Sequence, residues 1–153
     1  MKSLARTLFA IITCYIAGII AALFVGHNTL AWYTHLVKPS VTPSNWVFLV
    51  VWIVLYGLIG LALGRTWSKH EMWNSWTGLF YVSLAFNIAW VMFFFGFHTI
   101  FLALIDVGCL SILLIMLTLS AWEIDHIGTY LLTPYLAWVL FALYLNTQIW
   151  LLN

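Results

Sequence analysis

The sequence predicts an all-α membrane protein in which five transmembrane helices form one bundle, a single domain over residues 1–153. Of the 153 residues, 65% are hydrophobic and 6% are charged, whereas about a quarter of the residues in soluble domains are charged. The few charged residues separate apolar runs close to the roughly 20 residues that cross a bilayer as a helix. Because the runs lack the alternation of barrel strands, and because lipid forces backbone groups to pair within a segment, each run is predicted to be helical.

The first predicted span covers residues 5–26. Lys2 and Arg6 precede it as in a signal peptide, but the apolar run is long for a signal sequence and shows no clear cleavage site. We therefore expect this segment to be retained as a transmembrane helix. Small residues recur within it four apart, a spacing that lets helix backbones approach closely: Ala17 and Ala21, and Gly18 and Ala22.

The other four spans are predicted at residues 46–64, 76–96, 100–121 and 128–151. Gly60 and Gly64 give the second span a similar pair of small residues, which we interpret as packing within the chain rather than as a dimer face. Only the short stretch GFHTIF joins the third span to the fourth, so these helices are expected to be adjacent and antiparallel. Pro134 falls in the first turns of the last span, where a missing N–H costs least.

The basic residues predict the orientation of the bundle. Five spans place the N-terminus, the second loop and the fourth loop on one face, and that face carries Lys2, Arg6, Arg65 and Lys69. The opposite face carries Lys38. The positive-inside rule then predicts a bacterial inner-membrane protein with its N-terminus on the inner side. The rule describes insertion into an energised membrane, so it does not exclude an outer-membrane location. The first loop, residues 32–46 with the sequence WYTHLVKPSVTPSNW, faces outward.

Aromatic residues are too frequent for interfacial belts alone, at ten Trp, seven Tyr and eleven Phe. They form stripes at helical spacing on three spans, together with a few polar residues. Such a composition is typical of a pocket for a large flat ligand, although aromatic stripes more often reflect helix packing. The stripes are Phe48, Trp52 and Tyr56; Ser83, Asn87, Trp90 and Phe94; and Tyr135, Trp138, Ala142 and Leu145.

Two polar residues inside the spans are candidates for function. Asn87 either bonds a neighbouring helix or orients a polar edge of a ligand, and these roles are compatible. Asp106 is the only charged side chain placed deep within a span, and an intramembrane acid is a functional candidate as well as a structural one. No Lys, Arg or His lies at a matching depth to pair with it.

Several classes of function find no support in the sequence. A net charge of +1 without a basic tail gives no argument for nucleic acid. Neither a metal site nor a proton relay is indicated, because the five histidines all fall in loops or at span ends: His27, His35, His70, His98 and His126. Cys14 and Cys109 lie in apolar runs and make no disulfide framework. No Ser-His-Asp, Cys-His or paired-carboxylate arrangement is present.

Ordered motifs on different spans resemble a known family. The segments WYTHLVKPSVTPSNWVF, WIVLYGL, FNIAWVMFFFG and LLTPYLAWVLFALYLN are similar, in order and spacing, to the signature of the TspO/MBR family. This is the family of tryptophan-rich sensory proteins, translocator proteins and peripheral benzodiazepine receptors. The resemblance covers residues 32–146, most of the chain.

The resemblance implies a five-helix membrane protein, usually a homodimer, that binds porphyrins such as protoporphyrin IX. Some members also bind cholesterol or synthetic benzodiazepine-type and isoquinoline ligands. It further implies that the first loop folds over the pocket as a lid and that no metal or other cofactor is required. In that lid, Pro39 and Pro43 would restrict the backbone and make it stiff. Trp32 and Tyr33 would supply apolar surface area, and Lys38 could pair with a porphyrin propionate.

The leading hypothesis is therefore a sensory membrane protein that binds porphyrin-type and other flat hydrophobic molecules between spans one, two, three and five. One alternative is light- and oxygen-dependent porphyrin degradation through Trp52 and Trp138, the positions implicated in bacterial relatives. Another is transport of a tetrapyrrole or lipid, with Asp106 as a gating acid. The absence of acid–base machinery favours binding over ordinary catalysis, and the absence of a visible repeat disfavours a pump.

Departures from the family pattern affect the lid and the pocket. Ser44 follows Pro43 where many relatives have consecutive prolines, and Thr34 stands where many have an acid. Ser83 stands where relatives often carry Gln. No Lys or Arg occurs after Lys69, so span five holds no L/V-Y-K/R motif and the sequence supports no claim of sterol recognition.

Overall fold

A computed structural model describes residues 2–69 and 72–153 of the chain. Met1, His70 and Glu71 lie outside the described residues, and so does the loop position predicted for His70. The described residues form helices and connecting segments without a strand: α1 (Lys2–Ala22), α2 (His27–His35), α3 (Asn45–Lys69), α4 (Ser75–Val91) with a π-helical turn (Met92–Gly96), α5 (Ile100–Ile124) and α6 (His126–Leu152).

Five of these helices are long and apolar enough to cross a membrane: α1, α3, α4 with its π turn, α5 and α6. The predicted five-helix bundle is therefore confirmed. The largest extensions beyond the predicted spans are at the start of α1, which begins at Lys2, and at the ends of α3 and α5, at Lys69 and Ile124. Polar residues can continue a helix past the hydrocarbon. Span one was predicted to run to residue 26, but α1 ends at Ala22, where the amides of Phe24 and Val25 turn back to the carbonyls three residues earlier.

The helices form a closed ring in which α1 packs against α3, α3 against α6, α6 against α5, α5 against α4, and α4 against α1. The adjacency of α4 and α5, predicted from their short connection, is confirmed. A Cβ atom added to Gly60 would lie 2.6 Å from Ile11 Cα, and one added to Gly64 would lie 2.5 Å from Thr7 Cα. These glycines therefore pack against α1 within the chain, as predicted.

The first loop, predicted over residues 32–46, is partly helical, because its first residues belong to α2. Gly26 N donates to Thr29 Oγ1 at 3.2 Å, and Thr29 Oγ1 donates to the carbonyl of Phe95 at 2.9 Å, which fastens the start of α2 to the π turn. The chain is irregular between α2 and α3. There the main chain of Val37 exchanges two hydrogen bonds of 3.0 Å with the side chain of Asn153.

The end of α4 has an unusual backbone. Its last turn is π-helical, and Phe97 N donates to Met92 O at 2.8 Å. His98 follows with a φ of 56°, the left-handed region that a non-glycine residue rarely adopts. The connection therefore reverses within a few residues, and Thr99 N closes it with a 2.9 Å bond to Phe93 O.

Candidate ligand-binding cavity

A cavity of about 500 Å³ lies between α1, α3, α4 and α6. It sits at the end of the bundle where α1 and α6 finish and α3 begins, next to α2. Two of its lining residues, Ile19 and Leu49, are 63% and 64% exposed. The cavity therefore opens sideways between α1 and α3, toward the space that lipid occupies around the bundle.

Eight of the residues singled out from the sequence line this cavity. They come from α2, α3, α4 with its π turn, and α6. Most of them are aromatic, so aromatic rings form much of the cavity wall, and small or aliphatic side chains occupy the space between the rings. The eight residues are Tyr33, Phe48, Trp52, Tyr56, Trp90, Phe94, Ala142 and Leu145.

The other residues singled out do not line the cavity, although several lie directly behind its wall. Trp138 packs edge-on against Phe48 at 5.6 Å between ring centroids. Ser83 is buried and donates to the carbonyl of Phe80 at 2.7 Å. The residues outside the lining are Trp32, Lys38, Pro39, Pro43, Ser83, Asn87, Asp106, Tyr135 and Trp138.

Asn87 lies behind the aromatic wall formed by α3. It is 1% exposed, and its Oδ1 accepts a 2.7 Å hydrogen bond from the Tyr56 hydroxyl. The Trp52 ring lies 5.5 Å from that of Tyr56 and 6.2 Å from that of Tyr135. Asn87 thus joins α4 to α3, and its amide reaches the cavity only through Tyr56.

Helix α1 supplies a wall from which the sequence yielded no site residue. Its contribution is small and aliphatic side chains, including Gly18, Ala21 and Ala22, with Tyr15 beside them. A Cβ atom on Gly18 would lie 2.6 Å from Cε2 of Tyr56, so the glycine makes room for that ring. The four-residue spacing of small residues on span one is the feature of the sequence that points to this wall. It predicts that another element packs closely against α1, but it does not identify that element.

Polar groups at the cavity come from two asparagines as well as from tyrosines. Asn146 Oδ1 accepts from Trp90 Nε1 at 3.1 Å, while Asn146 Nδ2 donates to Ile100 O at 3.1 Å. Asn146 is therefore held by α4 and α5 while it lines the cavity, and Asn45 lines it from the start of α3. Neither amide belongs to the aromatic stripes, so the spacing of aromatic residues in the sequence does not indicate them.

Helix α2 packs beside the cavity through aromatic contacts with the end of α4 and the residues that follow it. Trp32 stacks on the His98 ring at 4.2 Å between centroids and meets Phe94 edge-on at 5.5 Å. Tyr33 meets the same Phe94 at 6.3 Å and Phe95 at 5.8 Å. Burial raises the pKa of the Tyr33 hydroxyl above its usual value, so this group stays protonated and can donate a hydrogen bond.

The Lys38 ammonium group is hydrogen-bonded to nearby backbone carbonyls. Its Nζ donates to the carbonyls of Tyr33 at 2.6 Å and Leu36 at 2.9 Å, and it lies 4.7 Å from the centre of the Tyr33 ring. Pro39 begins a turn in which its carbonyl accepts from Thr42 N at 3.0 Å. Pro43 is half-buried just before α3.

Asp106 is buried in α5 and stands apart from the cavity lining. It is 6% exposed, and its Oδ2 has no hydrogen-bond partner within the part of the chain that the structure describes. Across residues 2–69 and 72–153, no group of three His, Cys, Asp or Glu side chains is placed to hold a metal ion.

Comparison with known proteins gives one consistent result. The model of the TspO/MBR family matches residues 10–151. Tryptophan-rich protein TspO of Chlorobaculum tepidum is 36% identical over 144 residues, covering 92% of this chain and 90% of the relative. The protein of the same name from Archaeoglobus fulgidus is 35% identical and covers 89% of each chain.

A relative from an animal matches over a similar length. The translocator protein of Homo sapiens is 34% identical over 131 residues, which is 83% of this chain and 78% of the relative. With five spanning helices and a family match over most of its length, this chain is an integral multi-pass membrane protein and belongs to the TspO/MBR family.

Proposed function

We propose that this protein binds porphyrin-type and other flat hydrophobic molecules in the cavity between α1, α3, α4 and α6, with the first loop as a lid, and that it serves a sensory role. The observation that carries the proposal is the cavity itself, about 500 Å³ in volume. That volume falls within the range of small-molecule sites, which are mostly apolar with a few polar groups.

The wall suits a planar aromatic ligand. Trp52, Tyr56, Trp90 and Phe94 present ring surfaces to the cavity, and stacked or edge-on aromatic contacts are worth about 0.5–1.5 kcal/mol beyond area burial. The amide of Asn45 and the hydroxyl of Tyr33 are available to the polar edge of a ligand, whereas the amide of Asn146 is already bonded to α4 and α5. The lateral opening between α1 and α3 would admit a molecule dissolved in the membrane.

A direct titration tests binding. Protoporphyrin IX is added to the purified protein in detergent, and quenching of tryptophan fluorescence is followed, since Trp52 and Trp90 lie in the wall. We expect saturation at one porphyrin per chain and displacement by an isoquinoline-type ligand. Quenching that rises linearly with porphyrin, as it does for free tryptophan in the same detergent, would contradict the proposal.

A second candidate function is light- and oxygen-dependent breakdown of the bound porphyrin. Trp52 favours it, because its indole lines the cavity and lies against the rings of Tyr56 and Tyr135. Trp138 is one ring further away, behind Phe48. The transport alternative has less support, since Asp106 does not line the cavity.

Illumination separates binding from breakdown. The porphyrin absorbance of the complex is followed in air under light, with Trp52→Phe and Trp138→Phe as matched variants. Breakdown through the cavity predicts that Trp52→Phe slows the loss more than Trp138→Phe does, while both still bind porphyrin. Loss at the rate of free porphyrin in detergent would remove the enzymatic hypothesis.

The family resemblance also implies a homodimer and an inner-membrane location with the N-terminus inside, and both stay predictions. The basic residues Arg6, Arg65 and Lys69 at the α1 start and α3 end support that orientation.

A further inference from the structure

A second cavity, of about 400 Å³, lies at the opposite end of the bundle. Its polar lining comes from Ser3 and Thr7 at the start of α1 and from Arg65, Ser68 and Lys69 at the end of α3. We call it the basic groove. It is separate from the ligand-binding cavity, which lies where α3 begins.

The basic groove carries an excess of positive charge. Asp125 accepts hydrogen bonds from Arg65 Nε at 2.6 Å, Arg65 Nη2 at 3.2 Å and Lys69 Nζ at 2.8 Å. Two cations thus share one carboxylate. The Arg65 and Lys69 side chains are 36% and 47% exposed while that of Asp125 is 4% exposed, so the cations face the groove and the acid lies behind them.

Asp125 fixes this arrangement. Its Oδ2 also accepts from Gly128 N at 3.1 Å, which caps the start of α6. The hydrogen bonds from Arg65 and Lys69 hold the pKa of Asp125 well below its usual range, so the carboxylate remains charged at neutral pH. Arg65, Lys69 and the Asp125 carboxylate together carry one net positive charge, and the hydrogen bonds hold the two cations in place.

Polarity in the groove changes with depth. Leu61 lies one helical turn before Arg65, and Leu131 lies one turn after Ile127 at the start of α6. Both steps lead from the end of the bundle toward its middle. Leu61 and Ile127 are 37% and 53% exposed, so an apolar strip continues from the cations along the outer surface.

We propose that the basic groove binds one anionic phospholipid, with its phosphate on Arg65 and Lys69 and an acyl chain along Leu61 and Leu131. Charge complementarity selects the headgroup, since basic pockets between transmembrane helices suit anionic lipids. The apolar strip selects a lipid over a free phosphate ion, which would gain nothing from leucine side chains. A zwitterionic lipid brings its own cation and gains less from the groove.

The test compares lipids that differ only in headgroup charge. Protein in detergent is incubated with phosphatidylglycerol or phosphatidylcholine of the same acyl chains, and bound lipid is counted by native mass spectrometry. We expect one phosphatidylglycerol to be retained about fivefold or more over phosphatidylcholine, which corresponds to about 1 kcal/mol for the one net positive charge of the groove. Equal retention of the two lipids would overturn the proposal.

Matched variants locate the bound lipid. Ser68→Glu places a carboxylate in the groove, where it repels the phosphate or occupies the cations, and we expect the preference for phosphatidylglycerol to disappear. Ser120→Glu makes the same change at an exposed position near the end of α5, outside the groove lining, and the preference should persist. Loss of the preference in both variants, or in neither, would show that the lipid does not bind at the groove.

A Lys69 variant and a soluble competitor test the charge of the groove and the need for acyl chains. Lys69→Gln keeps the two-bond pairing of Arg65 with Asp125 and should weaken phosphatidylglycerol binding without loss of helical content. Glycerol phosphate, added at the concentration of the lipid, should leave phosphatidylglycerol bound. If glycerol phosphate displaces the lipid fully, the groove binds a free anion and the lipid proposal is wrong.

Discussion

At the scale of single residues, the hydrogen bond between Tyr56 and Asn87 connects the cavity wall to the interior of the bundle. The bond is 2.7 Å long, and both residues are buried. The bond satisfies the buried Oδ1 of Asn87, which would be costly to leave without a partner, while the Nδ2 of the same amide has no partner among the described residues. Asn87 therefore supports the position of the Tyr56 ring without touching the cavity.

Replacing Asn87 with Ala should lower the free energy of unfolding by about 1–3 kcal/mol, because the Tyr56 hydroxyl is left unsatisfied. Porphyrin affinity should change much less. Thermal unfolding in detergent and the fluorescence titration measure the two effects. Tyr56→Phe, which removes the same bond from the other side, is the control. A large loss of affinity with unchanged stability would show that Asn87 contacts the ligand.

Asp125 predicts a pH dependence of stability. A carboxylate whose pKa is lowered by folding stabilises the native state above its unfolded pKa of about 3.9, and this contribution is lost as the pH falls through the folded value. Hydrogen bonds to charged groups are worth about 1.5–3 kcal/mol each. Asp125→Asn should therefore lower the melting temperature at neutral pH and flatten its decline below about pH 4.

Melting curves of the parent and Asp125→Asn between neutral and acidic pH give the comparison. Glu123→Gln, an exposed neighbour at the same end of the bundle, is the control and should follow the parent. Parallel curves for the parent and Asp125→Asn at all pH values would show that the carboxylate does not contribute through its charge.

At the scale of helices, the contact of α1 with α3 depends on glycine. Gly64→Ala would place a Cβ 2.5 Å from Thr7 Cα, a backbone atom that cannot move aside. We expect destabilisation of about 1–3 kcal/mol, as in other overpacked contacts. Gly78→Ala in α4 has nothing within 4 Å and should be neutral or stabilising, since Ala is a better helix former than Gly.

Both glycine variants are measured by thermal unfolding in the same detergent. The difference between them isolates crowding from helix propensity. Equal stability of Gly64→Ala and Gly78→Ala would mean that α1 and α3 lie further apart than the structure shows.

The first loop is the element expected to move. Loops that gate binding sites belong to the least stable parts of a structure. Here the first loop is held at α2 by the stacking of Trp32 on His98, and after α2 by the hydrogen bonds between Val37 and Asn153. We expect amide hydrogen exchange across residues 30–45 to slow when protoporphyrin IX binds. Replacing Pro39 and Pro43 with Gly should raise the unbinding rate more than it changes the binding rate.

Exchange is measured with and without porphyrin, and residues 105–120 within α5 provide the internal control, since they are far along the chain from the lid and should not change. A first loop protected equally in both states would be a packed connector with no gating role.

At the scale of the whole molecule, the five spans follow directly from the lengths of the apolar runs, because hydrocarbon leaves a backbone few alternatives. The helix α2 could not be found in this way, because it is nine residues long with a mixed composition. Its boundaries depend on tertiary contacts such as that of Thr29 with Phe95. Hydropathy carries no information on those contacts.

The cavity was partly predictable for a similar reason. Aromatic stripes identified side chains of α3, α4 and α6 that line it, but helical spacing does not separate Trp52, at the cavity, from Trp138, one ring behind it. The wall from α1 is made of small residues, which give no chemical signal. The pairing of Arg65 with Asp125 joins residues far apart in sequence, and only the folded ring of helices brings them together.

The two cavities lie at opposite ends of the bundle and differ in chemistry, one aromatic and one basic. The central claim is that the aromatic cavity holds the flat ligand, and a variant that fills it tests this most directly. Ala142 lines the cavity and is 7% exposed, whereas Ala137 on the same helix is exposed and outside the lining.

The measurement is the dissociation constant of protoporphyrin IX for the parent, Ala142→Phe and Ala137→Phe, taken from the fluorescence titration in one detergent, with helical content checked by circular dichroism. A ligand in the cavity predicts that Ala142→Phe weakens binding by about tenfold or more, a loss of about 1.4 kcal/mol, while Ala137→Phe matches the parent. Equal affinity of all three folded proteins would contradict the claim and place the porphyrin elsewhere.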